Sequence, residues 1–247
     1  MKFSEYLSES AIMISSDMKT YAESAIKKIQ DVVKECVTYN YFCKKYDKKS
    51  VFYKEVDSKY GTFGVSTYIK IPISKHSPSA QAGYLGTLDI YISKDEYENI
   101  DKKETIDHLR SAILHELVHI VDPKSRKTEL KKSMQNKIRD FNIELKKNQK
   151  QLQSEENQEK RKIIQDEISE LIKKYFKFDW EIDAYISSEA EMIAEEILKK
   201  SRSKRDALEY IKNFVPDIPV LKFYNTQPTI WKRFIMHLTK IVERDYK

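Results

Sequence analysis

Glycine, cysteine and long apolar runs are what this sequence has least of. Its 247 residues hold four glycines, and all four, Gly61, Gly64, Gly83 and Gly86, fall within one short stretch. Turns and bulges are therefore expected in one small sheet. The two cysteines, Cys36 and Cys43, lie in a helix-patterned stretch. Seven residues apart on one helix, they are separated by about 10 Å along its axis, too far for a disulfide within it. Free thiols of this kind suit a reducing cytoplasm. No stretch approaches 18 consecutive apolar residues, and Met1-Lys2-Phe3-Ser4-Glu5-Tyr6 carries an acid where a secretory signal needs an apolar core. Membrane spanning and export through a cleaved signal are both unexpected. A dominant charge is missing too: 45 Lys and Arg face 39 Asp and Glu, a net +6 with the signs intermixed. Such a surplus describes a solvated surface and points to no specific nucleic acid.

What is present is mostly helical pattern. From Asp17 to about Tyr46, Tyr21, Ala25, Ile26, Ile29, Val32, Val33, Cys36 and Val37 recur at helical spacing, which predicts one long amphipathic helix. The period then drops to two. Val51-Phe52-Tyr53 predicts a short strand, Val65 to Ile73 a clearer one, and Tyr84 to Ser93 a third with Leu88, Ile90 and Ile92 on one face. A free edge on that third strand would offer backbone pairing to an extended peptide. Residues 124–177 contain neither glycine nor proline and are dense in Lys, Glu, Gln and Asn. Leu130, Met134, Ile138, Phe141 and Leu145, then Ile163, Ile164, Ile168, Leu171 and Ile172, predict an antiparallel helical hairpin with a polar tip around Ser154-Glu155-Glu156-Asn157. Inserted in a single domain spanning 1–247, such a hairpin returns the chain to where it left and offers a contact surface for a protein partner.

The organising stretch is His115-Glu116-Leu117-Val118-His119, near the end of a helix-patterned segment from about Thr105 to Asp122. Its spacing is H-E-x-x-H, the pattern of zinc proteases. With only five histidines in the chain, chance gives this pattern in roughly one such sequence in a hundred. Residues four apart share a helix face, so both imidazoles reach one ion from a fixed direction. Glu116 is turned about 100° away, which makes it a general base and not a ligand. Ile106, Leu109, Ile113, Leu117 and Ile120 form an apolar stripe that buries the helix and gives the ligands a rigid platform.

A catalytic zinc takes three protein ligands and leaves one position open. His108 lies seven residues before His115, about 10 Å along the axis, so one ion cannot bridge them. Asp122, three after His119 and followed by Pro123, suits a role in orienting His119. His76 has no partner at ligand spacing. The stronger third ligand lies in Trp180-Glu181-Ile182-Asp183-Ala184-Tyr185, which opens another helix pattern. Ile182, Ile186, Ala190, Ile193 and Ile197 bury one side and leave Glu181 on a flank, with Asp183 as a rival.

The pairing of HELVHIVD with the later WEIDAY resembles the gluzincin class of zinc metallopeptidases and is similar to small phage and bacterial zinc peptidases. The resemblance implies His115, His119 and Glu181 as ligands of Zn2+, Glu116 as the base, and an α+β zincin-like fold, mostly helical with a small mixed or antiparallel sheet before the metal helix. It covers those two helices alone. Many members carry Asp or Asn four residues after the ligand glutamate, where this chain has Tyr185, and Glu181 comes 62 residues after His119, a long interval that the hairpin explains. The implied activity is hydrolysis of a peptide or protein substrate by water activated at zinc, the proton passing through Glu116 to the leaving amine. Tyr224 and His237 are weaker candidates for steadying an oxyanion. The Lys-rich, Gly-poor composition and the opening MKFSEYL also look like tailed-phage proteins. The alternative reading is accordingly a phage structural or assembly protein that keeps the fold as a scaffold, in host cytoplasm or virion. A factor with one protein target is a third.

Overall fold

A computed structural model describes residues 12–72, 79–82, 86–122 and 128–246. Ile73, His76, Gly83, Tyr84, Pro123 and the opening Met1–Leu7 lie outside the described residues.

The first helix, α1 (Ser16–Lys34), starts where the Ser15 hydroxyl accepts the Met18 N–H, and it buries Met18, Tyr21, Ala25, Ile26, Ile29, Val32 and Val33 along one side. The single helix expected up to Tyr46 is in fact two. Thr38 takes extended backbone and its hydroxyl accepts the Tyr41 N–H, which caps a second helix, α2 (Tyr39–Tyr46). Val37, counted into the apolar stripe by its spacing, is 94% exposed. Cys36 sits buried in the connection and Cys43 half-buried on α2, both as free thiols, so they do not share a helix.

Four strands follow: β1 (Lys49–Ser58), β2 (Gly61–Lys70), β3 (Ala80–Ala82) and β4 (Thr87–Tyr91). They form one mixed sheet in the order β1-β2-β4-β3, with β2 and β4 parallel and the other two pairings antiparallel. The three-residue strand expected at Val51 is ten residues long, because it pairs with β2 from end to end across a register shift after Ser50. Alternation places Val65, Thr67 and Ile69 of β2, and Leu88 and Ile90 of β4 with Ile92 just beyond it, in the core. Tyr21 crosses from α1 to this layer, its hydroxyl 2.6 Å from that of Thr67. Gly86 has a φ of +78°, and a Cβ there would collide with the Gly64 carbonyl, so only glycine lets β4 start this close to β2. The strand expected to carry a free edge, β4, is paired on both sides; the edge beside the next long helix is the unexpected β3.

After a short helix, α3 (Lys94–Glu98), closed at its start by a Ser93/Glu96 capping box, comes α4 (Lys103–Val121) with the motif in its last turns. Two long helices, α5 (Thr128–Ser154) and α6 (Gln158–Tyr175), run back along each other, with Phe141 meeting Tyr175 near one end and Arg161 donating to the Leu152 and Glu155 carbonyls near the other. Then follow α7 (Asp179–Lys200), α8 (Lys204–Lys212), α9 (Pro219–Asn225) and α10 (Pro228–Asp245). The molecule is thus α+β, with two apolar cores. One lies between the sheet, α1 and α4; the other is enclosed by α7, α8, α9 and α10. The helix α7 belongs to both, giving Ala184 to the first core and Ile182, Ile186, Ala190 and Ile197 to the second, while Ile193 is only half-buried. No described helix is long and apolar enough to cross a membrane.

The break before α2 makes a local prediction. Thr38→Ala removes the side-chain acceptor at the new helix start and should cost about 1 kcal/mol in urea unfolding, whereas Val37→Ser should leave the midpoint unchanged. Equal losses from the two would mean that the apolar stripe, and not the cap, sets the path of the chain.

Candidate metal centre

The site forms where α4 crosses α7, between the two cores. On α4, Leu109, Ile113, Leu114, Leu117, Val118 and Val121 are buried, which fixes the helix against the sheet and turns His115 and His119 towards α7. That helix is held across the gap by polar braces. Arg110 makes a two-pronged pair with Glu195, at 2.6 and 2.7 Å, and the Ser111 hydroxyl donates to Glu189 at 2.7 Å. These contacts bring the first turn of α7 over the motif.

Glu181 arrives there 3% exposed. Its Oε2 lies 3.2 Å from His115 Nε2 and its Oε1 3.6 Å from His119 Nε2, while the two imidazole nitrogens stand 3.1 Å apart. The three side chains form a mutually close donor set of two imidazoles and one carboxylate, within 4.8 Å of one another. Zinc ligands at about 2.0–2.1 Å in tetrahedral directions stand about 3.3 Å apart. The two imidazole nitrogens stand 3.1 Å apart, close to that spacing, and each faces its own oxygen of Glu181, so two imidazoles and a carboxylate converge as the donor set of such an ion does. Among the described residues no fourth His, Cys, Asp or Glu joins the group.

The electrostatics follow from burial. Glu181 loses hydration, which alone would raise its pKa; the two imidazoles override this and hold it well below the usual carboxylate range. Burial alone would lower the pKa of His119, yet the Glu181 carboxylate, with Glu116 and Asp122 behind it, pushes it up to about 9. A cation bound by these groups would compete with a proton for the same donor atoms.

Glu116 stands off this triangle. Its Oε2 accepts the Ala82 N–H at 2.6 Å, so the edge strand β3 fixes the side chain. Burial raises its pKa, the charges of His115 and His119 pulling the other way. Tyr185, in place of the acid that the resemblance led one to look for, lays its ring against that of His115 with centroids 4.3 Å apart. Asp122 is buried at the end of α4 and adds negative charge beside His119.

The rival ligand has another partner. Asp183 is ion-paired with Arg233 of α10, with side chains 5% and 14% exposed. His108 has its Nε2 2.6 Å from the Ser79 hydroxyl and takes no part in the donor group. Tyr224 donates its hydroxyl proton to the Phe176 carbonyl, and His237 is buried on α10 with its pKa pushed down to about 4 by that burial; the structure joins neither to the triangle. Two residues to which the sequence reading gave no role do reach it. The Tyr175 hydroxyl and Trp180 Nε1 both donate to Glu181 Oε1, at 2.7 and 3.1 Å. Their signal was compositional: Phe141 is the lone aromatic between 124 and 174, and then Tyr175, Phe176, Phe178 and Trp180 crowd just before Glu181.

No family model, curated protein or solved structure matches the chain.

The division between ligand and brace is measurable. Asp183→Asn removes the charge that faces a buried guanidinium and should destabilise the protein by about 3 kcal/mol while leaving zinc stoichiometry near one. Glu181→Gln should do the reverse, losing tight zinc binding with the smaller effect on folding. Elemental analysis and thermal melts check both, and zinc loss confined to Asp183→Asn would exchange the two roles.

Proposed function

We propose that the chain is a zinc-dependent peptidase with a zincin-like site, His115, His119 and Glu181 holding the metal and Glu116 acting as general base. The observation that carries this reading is the two-imidazole, one-carboxylate triangle with a fixed, partly buried carboxylate beside it on the same helix. Structural zinc sites are closed by four protein ligands, whereas hydrolytic ones use three and leave a position for water. Three is the number that the described residues supply.

A bound zinc ion would supply Lewis acidity, acidifying a water molecule and polarising a carbonyl. Glu116 takes up the proton of that water. Its raised pKa brings it nearer to neutrality, where a carboxylate both accepts a proton and gives it up, here to the departing amine. Ala82 keeps the Glu116 carboxylate from swinging away by holding one of its oxygens. The apolar surroundings of α4 exclude water that would screen these charges. Peptide as the substrate class is supported by β3: it is the outer strand of the sheet, three residues long, and lies beside the base, where an extended chain could add by backbone pairing.

The scaffold reading draws on the hairpin, whose Ile143 and Ile163 are 61% and 58% exposed and suit a protein contact. It requires no base. Glu116→Gln separates the two. The variant should keep its zinc and its melting temperature, and cleavage of an unbiased peptide library should fall by at least ~100-fold. Equal, appreciable cleavage by both proteins would refute the role of Glu116; equal inertness of both would favour the scaffold.

A further inference from the structure

The hairpin of α5 and α6 looks like an appendage from its sequence, yet its base touches the metal triangle. Tyr175 is the last residue of α6, and its hydroxyl donates to Glu181 Oε1 at 2.7 Å. Trp180 adds a second donor to the same oxygen at 3.1 Å. Both therefore fall on one oxygen, which also lies 3.6 Å from His119 Nε2, while Oε2 stands 3.2 Å from His115 Nε2. A carboxylate fixed in this way keeps each oxygen facing its own imidazole instead of rotating between them.

What fixes Tyr175 comes from the opposite arm. Phe141 of α5 packs on its ring with centroids 4.8 Å apart, and Phe178 meets it edge-on at 5.7 Å. One turn before Phe141, Lys137 sets its ammonium 5.8 Å from the centroids of both Phe178 and Trp180. Lys137 and Phe141 share a face of α5, so a single turn of the outgoing arm covers the aromatic group whose two polar members hold Glu181.

We propose that Tyr175 is a positioning residue for Glu181, and that the base of the hairpin is in this way a working part of the metal centre. The proposal rests on the metal reading given above and extends it from the ligands to the groups that aim them. Outer hydrogen bonds of this kind commonly change metal affinity by 10–100-fold. The tip of the hairpin has no such role: Ile163 is exposed on α6, three turns before Tyr175.

The test uses the full chain and two ions. Zinc affinity is measured by competition with a chromophoric chelator, and the visible spectrum of the cobalt-loaded protein reports ligand geometry, for wild type, Tyr175→Phe, Phe141→Ala and Ile163→Ser. The expected result is a zinc affinity about 10–100-fold lower in Tyr175→Phe, with an altered cobalt spectrum and a metal-free melting temperature close to wild type. Phe141→Ala should move the affinity the same way, and Ile163→Ser should not. Wild-type affinity in Tyr175→Phe would overturn the proposal while leaving the metal site standing. So would a weaker affinity with an unchanged cobalt spectrum and an equally lowered metal-free melt, the mark of a purely structural loss. A wild type that binds neither ion would bring down the metal reading itself, a result distinct from the other two.

Discussion

A carboxylate 3% exposed between two imidazoles is the constraint on which this structure turns. Removing such a charge from water costs several kcal/mol, and the cost is offset only where opposite charge and hydrogen bonds meet it with good geometry. Everything near Glu181 answers that need. The two imidazoles face it from α4, Tyr175 and Trp180 donate to it from its own side, and the Arg110–Glu195 and Asp183–Arg233 pairs hold α4, α7 and α10 so that these groups converge. A divalent ion is a fuller partner for the same charge than a shared proton, since it meets the carboxylate and both nitrogens at once.

The parts of this arrangement legible in the sequence were those set by short-range periodicity. The stripe from Leu109 to Val121 located the motif helix to within two residues, and the position of Glu181 in a first helical turn singled it out. The glycines marked the sheet, because close strand approach at Gly86 and the turn at Gly61 need residues without a Cβ. Periodicity misled where a cap overrode it: Val37 continues the spacing of α1 but follows the break that Thr38 imposes. It was silent on β3, whose three residues are too few to show an alternation, and so the free edge was assigned to β4.

The remainder depends on partners far apart in the chain. Only its place in the first helical turn set Glu181 ahead of Asp183 in the sequence; in the structure Asp183 is drawn to Arg233, 50 residues later. The same holds for Tyr175, whose meaning comes from Glu181 in front of it and Phe141 behind it. The hairpin thereby changes character. Its charged length obeys composition, but its base is tied to Glu181 through Tyr175 and the aromatic packing around it, and the long interval between His119 and Glu181 becomes part of the means by which that carboxylate is held.

X-ray absorption at the zinc edge of the metal-loaded full-length chain tests the central claim most directly. The account predicts a low-coordinate shell of nitrogen and oxygen at about 2.0–2.1 Å, with the outer scattering of two imidazoles, and the loss of one oxygen contribution in Glu181→Gln. A shell containing sulfur at about 2.3 Å, or one unchanged by that substitution, would contradict it.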